Sequence, residues 1–94
     1  MISIKNKLIR AINDYQNEKI KLSQLRLIAN DLLYQFLALK NGHHQDEQLY
    51  WLLDELDDLD FNLRFDPQKA AATLINAFKY AKNNHIWVVK WLNF

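Results

Sequence analysis

The chain has 94 residues, half of them apolar and about a quarter charged, with one Gly, one Pro, no Cys and a formal net charge of +1. A chain of this length buries roughly 60 to 70% of its unfolded surface, enough for one core and not for two, so residues 1–94 read as a single domain. The scarcity of Gly and Pro excludes low-complexity linkers. The lack of Cys excludes disulfides, thiolate metal sites and Cys nucleophiles, and it suits a cytoplasmic protein.

The opening residues, Met1 to Ile9, interleave lysines with apolar side chains, and no later stretch reaches the ~20 apolar residues of a membrane span, so neither export nor insertion is expected. Ile4, Leu8, Ala11, Ile12 and Tyr15 recur at spacings of three and four and predict a first amphipathic helix. A polar connector over 16–21 follows. Ser23 reads as the N-cap of a second helix running to Lys40 and stopped by Asn41-Gly42. Its stripe is Leu25, Ile28, Ala29, Leu32, Phe36 and Leu39, while Leu27, Leu33, Tyr34, Leu37 and Ala38 make it apolar nearly all round, which predicts a central helix.

Asp46 caps a third helix to about Leu59, with Leu49, Leu52, Leu53, Leu56 and Leu59 on its inner side. Residues 60–65 read as a loop that tucks Phe61, Leu63 and Phe65 inward. Asp66-Pro67 is a helix start, an acidic cap followed by a proline whose missing N–H costs nothing there. The fourth helix reaches about Asn83 on a stripe of Ala71, Leu74, Ile75, Phe78 and Ala81. The tail from His85 to Phe94 has strand-like composition but no partner strand, and it is expected as a short helix or extended segment over the bundle. The fold class is therefore all-α, a compact bundle of four helices with a short C-terminal aromatic segment packed on it.

Charge is segregated along the chain. Seven basic and three acidic side chains give residues 1–42 a charge of +4, one basic and eight acidic give residues 43–66 −7, and four basic give residues 67–94 +4. Such a negative segment steers a basic partner even when the whole molecule is nearly neutral. At about 100° per residue, Glu47, Asp54 and Asp58 share one stripe opposite the leucines, with Trp51 beside it and Asp57 below Tyr50 on the flank. Asp54, Glu55, Asp57, Asp58 and Asp60 crowd the C-terminal end of their helix, where the macrodipole disfavours them, and Asp54 with Asp58 is a like-charged i,i+4 pair. Local rules broken together point to a binding role, and Trp and Tyr are favoured interface anchors. The competing reading is a solvated face neutralised by Lys or Arg of the first or fourth helix, with Tyr50 and Trp51 packed on a neighbour.

Catalytic chemistry is poorly provided for. His43-His44 with Asp46 and Glu47 is the one metal-like cluster, but adjacent histidines diverge and no third helix-spaced His exists. Asp54, Asp57, Asp58 and Asp60 read as uniformly exposed, whereas an acid–base pair needs two different environments. Ser23 is spoken for as a cap, and one glycine makes no phosphate loop. No enzyme, cofactor or metal is expected. Nucleic-acid binding has Lys5, Lys7, Arg10, Lys19, Lys21 and Arg26, and then Lys69, Lys79, Lys82 and Lys90 around Tyr80 and Trp87. The lysines are dispersed, though, no recognition helix is evident, and the −7 segment repels phosphates.

Four short helices, an acidic third helix with embedded aromatics (Leu49-Tyr-Trp-Leu-Leu-Asp-Glu-Leu-Asp-Asp-Leu59) and an aromatic stretch leading into Asp66-Pro67 resemble small helical bacterial immunity proteins of the colicin D and contact-dependent inhibition types. The resemblance covers most of the chain in architecture and matches no diagnostic motif. It implies a non-enzymatic inhibitor of a cognate nuclease toxin, an acidic face occupying a basic nucleic-acid cleft. The expected contact residues are Glu47, Asp54, Asp57, Asp58 and Asp60 for charge, and Tyr50 and Trp51 for anchor area. A small nucleic-acid-binding regulator and a structural or adaptor subunit using the Trp87 to Phe94 tail are the alternatives.

Overall fold

The computed structural model describes residues 3–39 and 46–92, with side chains as far as residue 83. Every regular element among them is a helix: α1 (Ile4–Gln16), α2 (Leu22–Ala38), α3 (Glu47–Asp57), α4 (Leu59–Phe65) and α5 (Pro67–Leu92). No helix among the described residues is long and apolar enough to cross a membrane. The Asn41-Gly42 stop and the His43-His44 turn lie outside the described residues.

Short polar side chains start most of these helices. Ser3 Oγ accepts from the Asn6 N–H at 3.1 Å, Asp46 Oδ1 from the Leu49 N–H at 3.0 Å and Asp66 Oδ1 from the Lys69 N–H at 3.2 Å, each satisfying a donor that the first turn would leave orphaned. Ser23 does not cap α2. That helix begins at Leu22, and Gln24 Oε1 reaches back to the Lys21 N–H at 2.8 Å, half of a capping box.

The end of α1 carries backbone strain. Glu18 has φ 60°, and its N–H donates to Tyr15 O at 3.1 Å while the Lys19 N–H donates to Asp14 O at 2.8 Å. These two bonds form a Schellman stop with glutamate at the left-handed position that glycine ordinarily fills.

The core is built on leucine and alanine. Leu8, Ala11 and Ile12 of α1, Leu25, Ala29, Leu32, Leu33 and Phe36 of α2, and Leu49, Leu52, Leu53 and Leu56 of α3 form one buried cluster with Leu59, Ala70, Ala77, Tyr80 and Ala81. α2 packs against α1, α3 and α4, as its apolar surround predicts, but it is not enclosed: Leu27, Tyr34 and Leu37 remain exposed. Contacts of residue 36 with 50, 30 with 57 and 26 with 60 run α2 and α3 antiparallel.

Three further expectations are corrected. Residues 60–65 form no loop: Leu59–Phe65 is a helix that buries Leu59 and Asn62, so Phe61, Leu63 and Phe65 face outward rather than inward. The inward face of α5 is Ala70, Thr73, Ala77, Tyr80 and Ala81, while Ala71 and Ile75 are exposed. The stripe is turned by about one residue, or ~100°, from the most hydrophobic one. Small residues win the inner position because they let helices approach closely, and the Thr73 hydroxyl is satisfied by donating to Lys69 O at 3.0 Å. α5 also continues unbroken to Leu92 instead of stopping near Asn83. No Gly or Pro interrupts it, and strand propensity without a partner strand does not override a running helix. The packing of the tail's side chains, including Trp87 and Trp91, lies outside the described residues.

Replacing Glu18 with Gly should stabilise the fold. Relief of the left-handed strain, about 1–2 kcal/mol, exceeds the added freedom of the unfolded chain, about 0.4–1 kcal/mol, leaving a net gain of about 0.5–1 kcal/mol. Urea unfolding of Glu18→Gly checks this; a lower midpoint would show that the glutamate makes contacts worth more than the strain.

Candidate binding face on α3 and α4

The geometry of the acidic segment follows from α3. With Leu49, Leu52, Leu53 and Leu56 turned into the core, the opposite side of the helix is fixed, and Glu47, Trp51, Asp54 and Asp58 fall on it. Glu47 and Asp58 are exposed, Asp54 is half-buried, and Trp51 is 58% exposed. The tryptophan therefore does not pack away against a neighbouring helix.

Tyr50 and Asp57 sit on the flank towards α2. Tyr50 is half-buried, its ring stacked on Phe36 at 6.2 Å between centroids and edge-on to Trp51 at 5.3 Å. Asn30 Nδ2 donates to Asp57 Oδ1 at 2.6 Å. Arg26 places Nη1 4.0 Å from Asp57 Oδ1 and Nε 2.6 Å from Asp60 Oδ2. The cation that ion-pairs with the acidic segment thus comes from α2 and meets two of the seven candidate residues, while Lys69 of α5, the fourth helix expected from the sequence, acts on Asp54 without an ion pair within 4 Å. Asp57 and Asp60 are committed to holding α3 and α4 on α2. Among the described residues Glu47, Asp54 and Asp58 form no ion pair within 4 Å.

The four aspartates are not uniformly exposed, as the sequence reading had them, and they differ electrostatically. Partial burial and then the nearby charges of Asp58 and Asp57 push the Asp54 carboxyl above its ordinary value of 3.8, with Lys69 pulling the other way. Asp58 ends α3 and precedes α4, with φ −86° and ψ 5°. Asp58 closes one helix and opens the next: its N–H donates to Asp54 O at 3.2 Å and its carbonyl accepts from the Asn62 N–H at 3.0 Å. Asp58 and Asp60 therefore stand at the N-terminus of α4, where negative charge is favoured, and the expected dipole conflict is left to Asp54, Glu55 and Asp57 in the last turn of α3.

On the other flank, Gln48, Trp51, Leu52 and Glu55 face Asn76, Lys79, Tyr80 and Asn83 of α5 across a groove of about 460 Å³. Tyr80 is buried; burial, with the charge of Asp46 adding to it, pushes its hydroxyl up to about 12. It offers no face for a nucleobase to stack on.

Sequence reasoning missed Arg26 as the clamp, although its i,i+4 spacing from Asn30 put both on one edge of α2. It also missed Phe61 and Phe65, 63% and 66% exposed with ring centroids 4.8 Å apart. The available signal was their spacing, which continues the outward row of Glu47, Trp51, Asp54 and Asp58 by steps of three and four. No family model matches the sequence, and no curated protein or solved structure matches it.

A carboxyl whose pKa is raised on folding holds its proton longer in the folded than in the unfolded chain, so stability falls as pH rises from 3.8 through the raised value. Asp54→Asn should therefore melt higher than wild type at pH 7, and the advantage should vanish below pH 3.8. Thermal melts across that range test it; a difference independent of pH would show that charge is not the cause.

Proposed function

We propose that the chain is a non-enzymatic binding protein that inhibits a basic protein partner, in the manner of an immunity protein neutralising a cognate nuclease toxin. One observation carries this reading: Glu47, Asp54 and Asp58 stand outward around an exposed Trp51 without an ion pair among the described residues, although the chain has twelve basic side chains. Unpaired like charges beside an exposed aromatic cost the isolated fold and return nothing to it. They suit a surface that is completed by a partner, where charge speeds encounter and a desolvated aromatic slows release. Asp57 and Asp60 act here as positioning residues through Arg26, and Tyr50 supports Trp51 from behind.

The dispersed-lysine regulator loses Tyr80 as a stacking residue, since it is buried. The adaptor reading rests on the tail and has no described side chain in its favour.

The test is a tagged pull-down from the native host's lysate at low and high salt with nuclease treatment, followed by titration of the retained protein. Asp54→Lys with Asp58→Lys should keep or raise the melting temperature and weaken binding by more than about a hundredfold, given coupling of about 1.5 kcal/mol or more for each close charge pair. A double variant that binds like wild type would remove this face from the interface, and retention of nucleic acid alone would favour the regulator.

A further inference from the structure

Glu47, Trp51, Asp54, Asp58, Phe61 and Phe65 follow one another at steps of four, three, four, three and four along α3 and α4. Five of the six are exposed and Asp54 is half-buried. Asp58 joins the two helices, its N–H donating the last bond of α3 and its carbonyl accepting the first of α4. The row has the spacing of a coiled-coil seam, at most about 27 Å long at 1.5 Å per residue over the two helices.

Resting on the acidic-face reading above, we infer that the row is a docking seam for one cationic amphipathic helix of the partner, with an apolar stripe that packs on Trp51, Phe61 and Phe65 and Lys or Arg that meet Glu47, Asp54 and Asp58. The spacing selects a helix, because knobs at three and four interlock with the same ridges on a second helix and match neither the period of two of a strand nor a flat surface. The charge selects a cationic one, because the three acids on the row have no ion pair among the described residues and an uncharged or acidic helix would bury them uncompensated. A second copy of this chain fits less well. Its most basic helix, α5, has four lysines and no acid, but among its described side chains it exposes one large apolar residue, Ile75, to set against the two phenylalanines.

The test uses the full chain and two labelled helical peptides of about 22 residues, long enough to span the seam. Both have the same Leu, Lys and Ala composition, one with its leucines aligned at heptad a and d positions and the other with them spread around the helix. The aligned peptide should bind at least about tenfold more tightly by fluorescence anisotropy. Phe61→Ala with Phe65→Ala should erase the preference, and Trp51→Ala should reduce it; both alter exposed side chains, and circular dichroism checks that helix content is kept. Asp54→Lys with Asp58→Lys should weaken both peptides. Equal binding of the two peptides, lost on charge reversal, would overturn the helix seam and leave the acidic face standing. A preference that survives all the aromatic substitutions would overturn it too. Binding indifferent to charge reversal would sink both readings. Self-association of the wild type, abolished by Phe61→Ala with Phe65→Ala, would assign the seam to a second copy instead.

Discussion

The burial of the α3 leucines is the constraint from which the rest of the surface follows. Leu53 and Leu56 are fully enclosed, and Leu49 and Leu52 nearly so, between α2 and α5. Each buried leucine stabilises the fold by roughly 1.5–3 kcal/mol, far more than any charge on the opposite side costs. A rotation of α3 that hid Trp51 or neutralised Asp54 would expose this stripe. The helix therefore holds its orientation and presents whatever the sequence puts on the other side.

Arg26 divides that outer side into two parts. By reaching both Asp57 and Asp60 from α2, it ties the end of α3 and the start of α4 to the bundle, and with Asn30 it gives the α2 flank of the acidic segment partners within the fold. Partly exposed pairs of this kind contribute only about 0.2–1 kcal/mol each. Their effect is chiefly one of position, since they hold α4 so that Phe61 and Phe65 extend the row of α3 instead of folding under it. The break at Asp58 gives Asp58 and Asp60 a helix N-terminus and leaves the dipole conflict to the last turn of α3, at Asp54, Glu55 and Asp57.

The helices were legible in the sequence wherever large apolar residues recur at helical spacing, as in α1 and α3, and at Asp46 and Asp66, whose chemistry as caps is local. The reading erred where a decision depended on what surrounds an element. Leu59–Phe65 is aromatic and follows an acidic run, which suggests a loop that tucks inward, yet the helix is set by Leu59 and Asn62 and leaves the phenylalanines outside. In α5 the expected stripe included Ile75 and Ala71, which are exposed, while its Ala81 is buried and its Leu74 and Phe78 pack half-buried on the core; the burial of Ala70 and Ala77 beside them depends on how closely the neighbouring helices approach. Of the candidate face, the outward direction of Glu47, Trp51, Asp54 and Asp58 followed from the leucine stripe alone. The pairing of Asp57 and Asp60 did not, because Arg26 lies some thirty residues earlier in the chain.

In the interface proposed above, the outer row divides its labour between charge and area. The acids act at a distance, over about a Debye length of 8–10 Å at ordinary salt, and so govern how fast and in which orientation a cationic surface arrives. At contact part of the attraction they gain is offset by the desolvation of three carboxylates. The aromatics act only at contact, and each removes 150–250 Å² from water when covered. A face of carboxylates alone would attract every basic surface and retain none, and a face of aromatics alone would invite self-association. Interleaving the two at helical spacing ties retention to a partner that carries both properties in the same register, so specificity resides in the pattern rather than in any single residue.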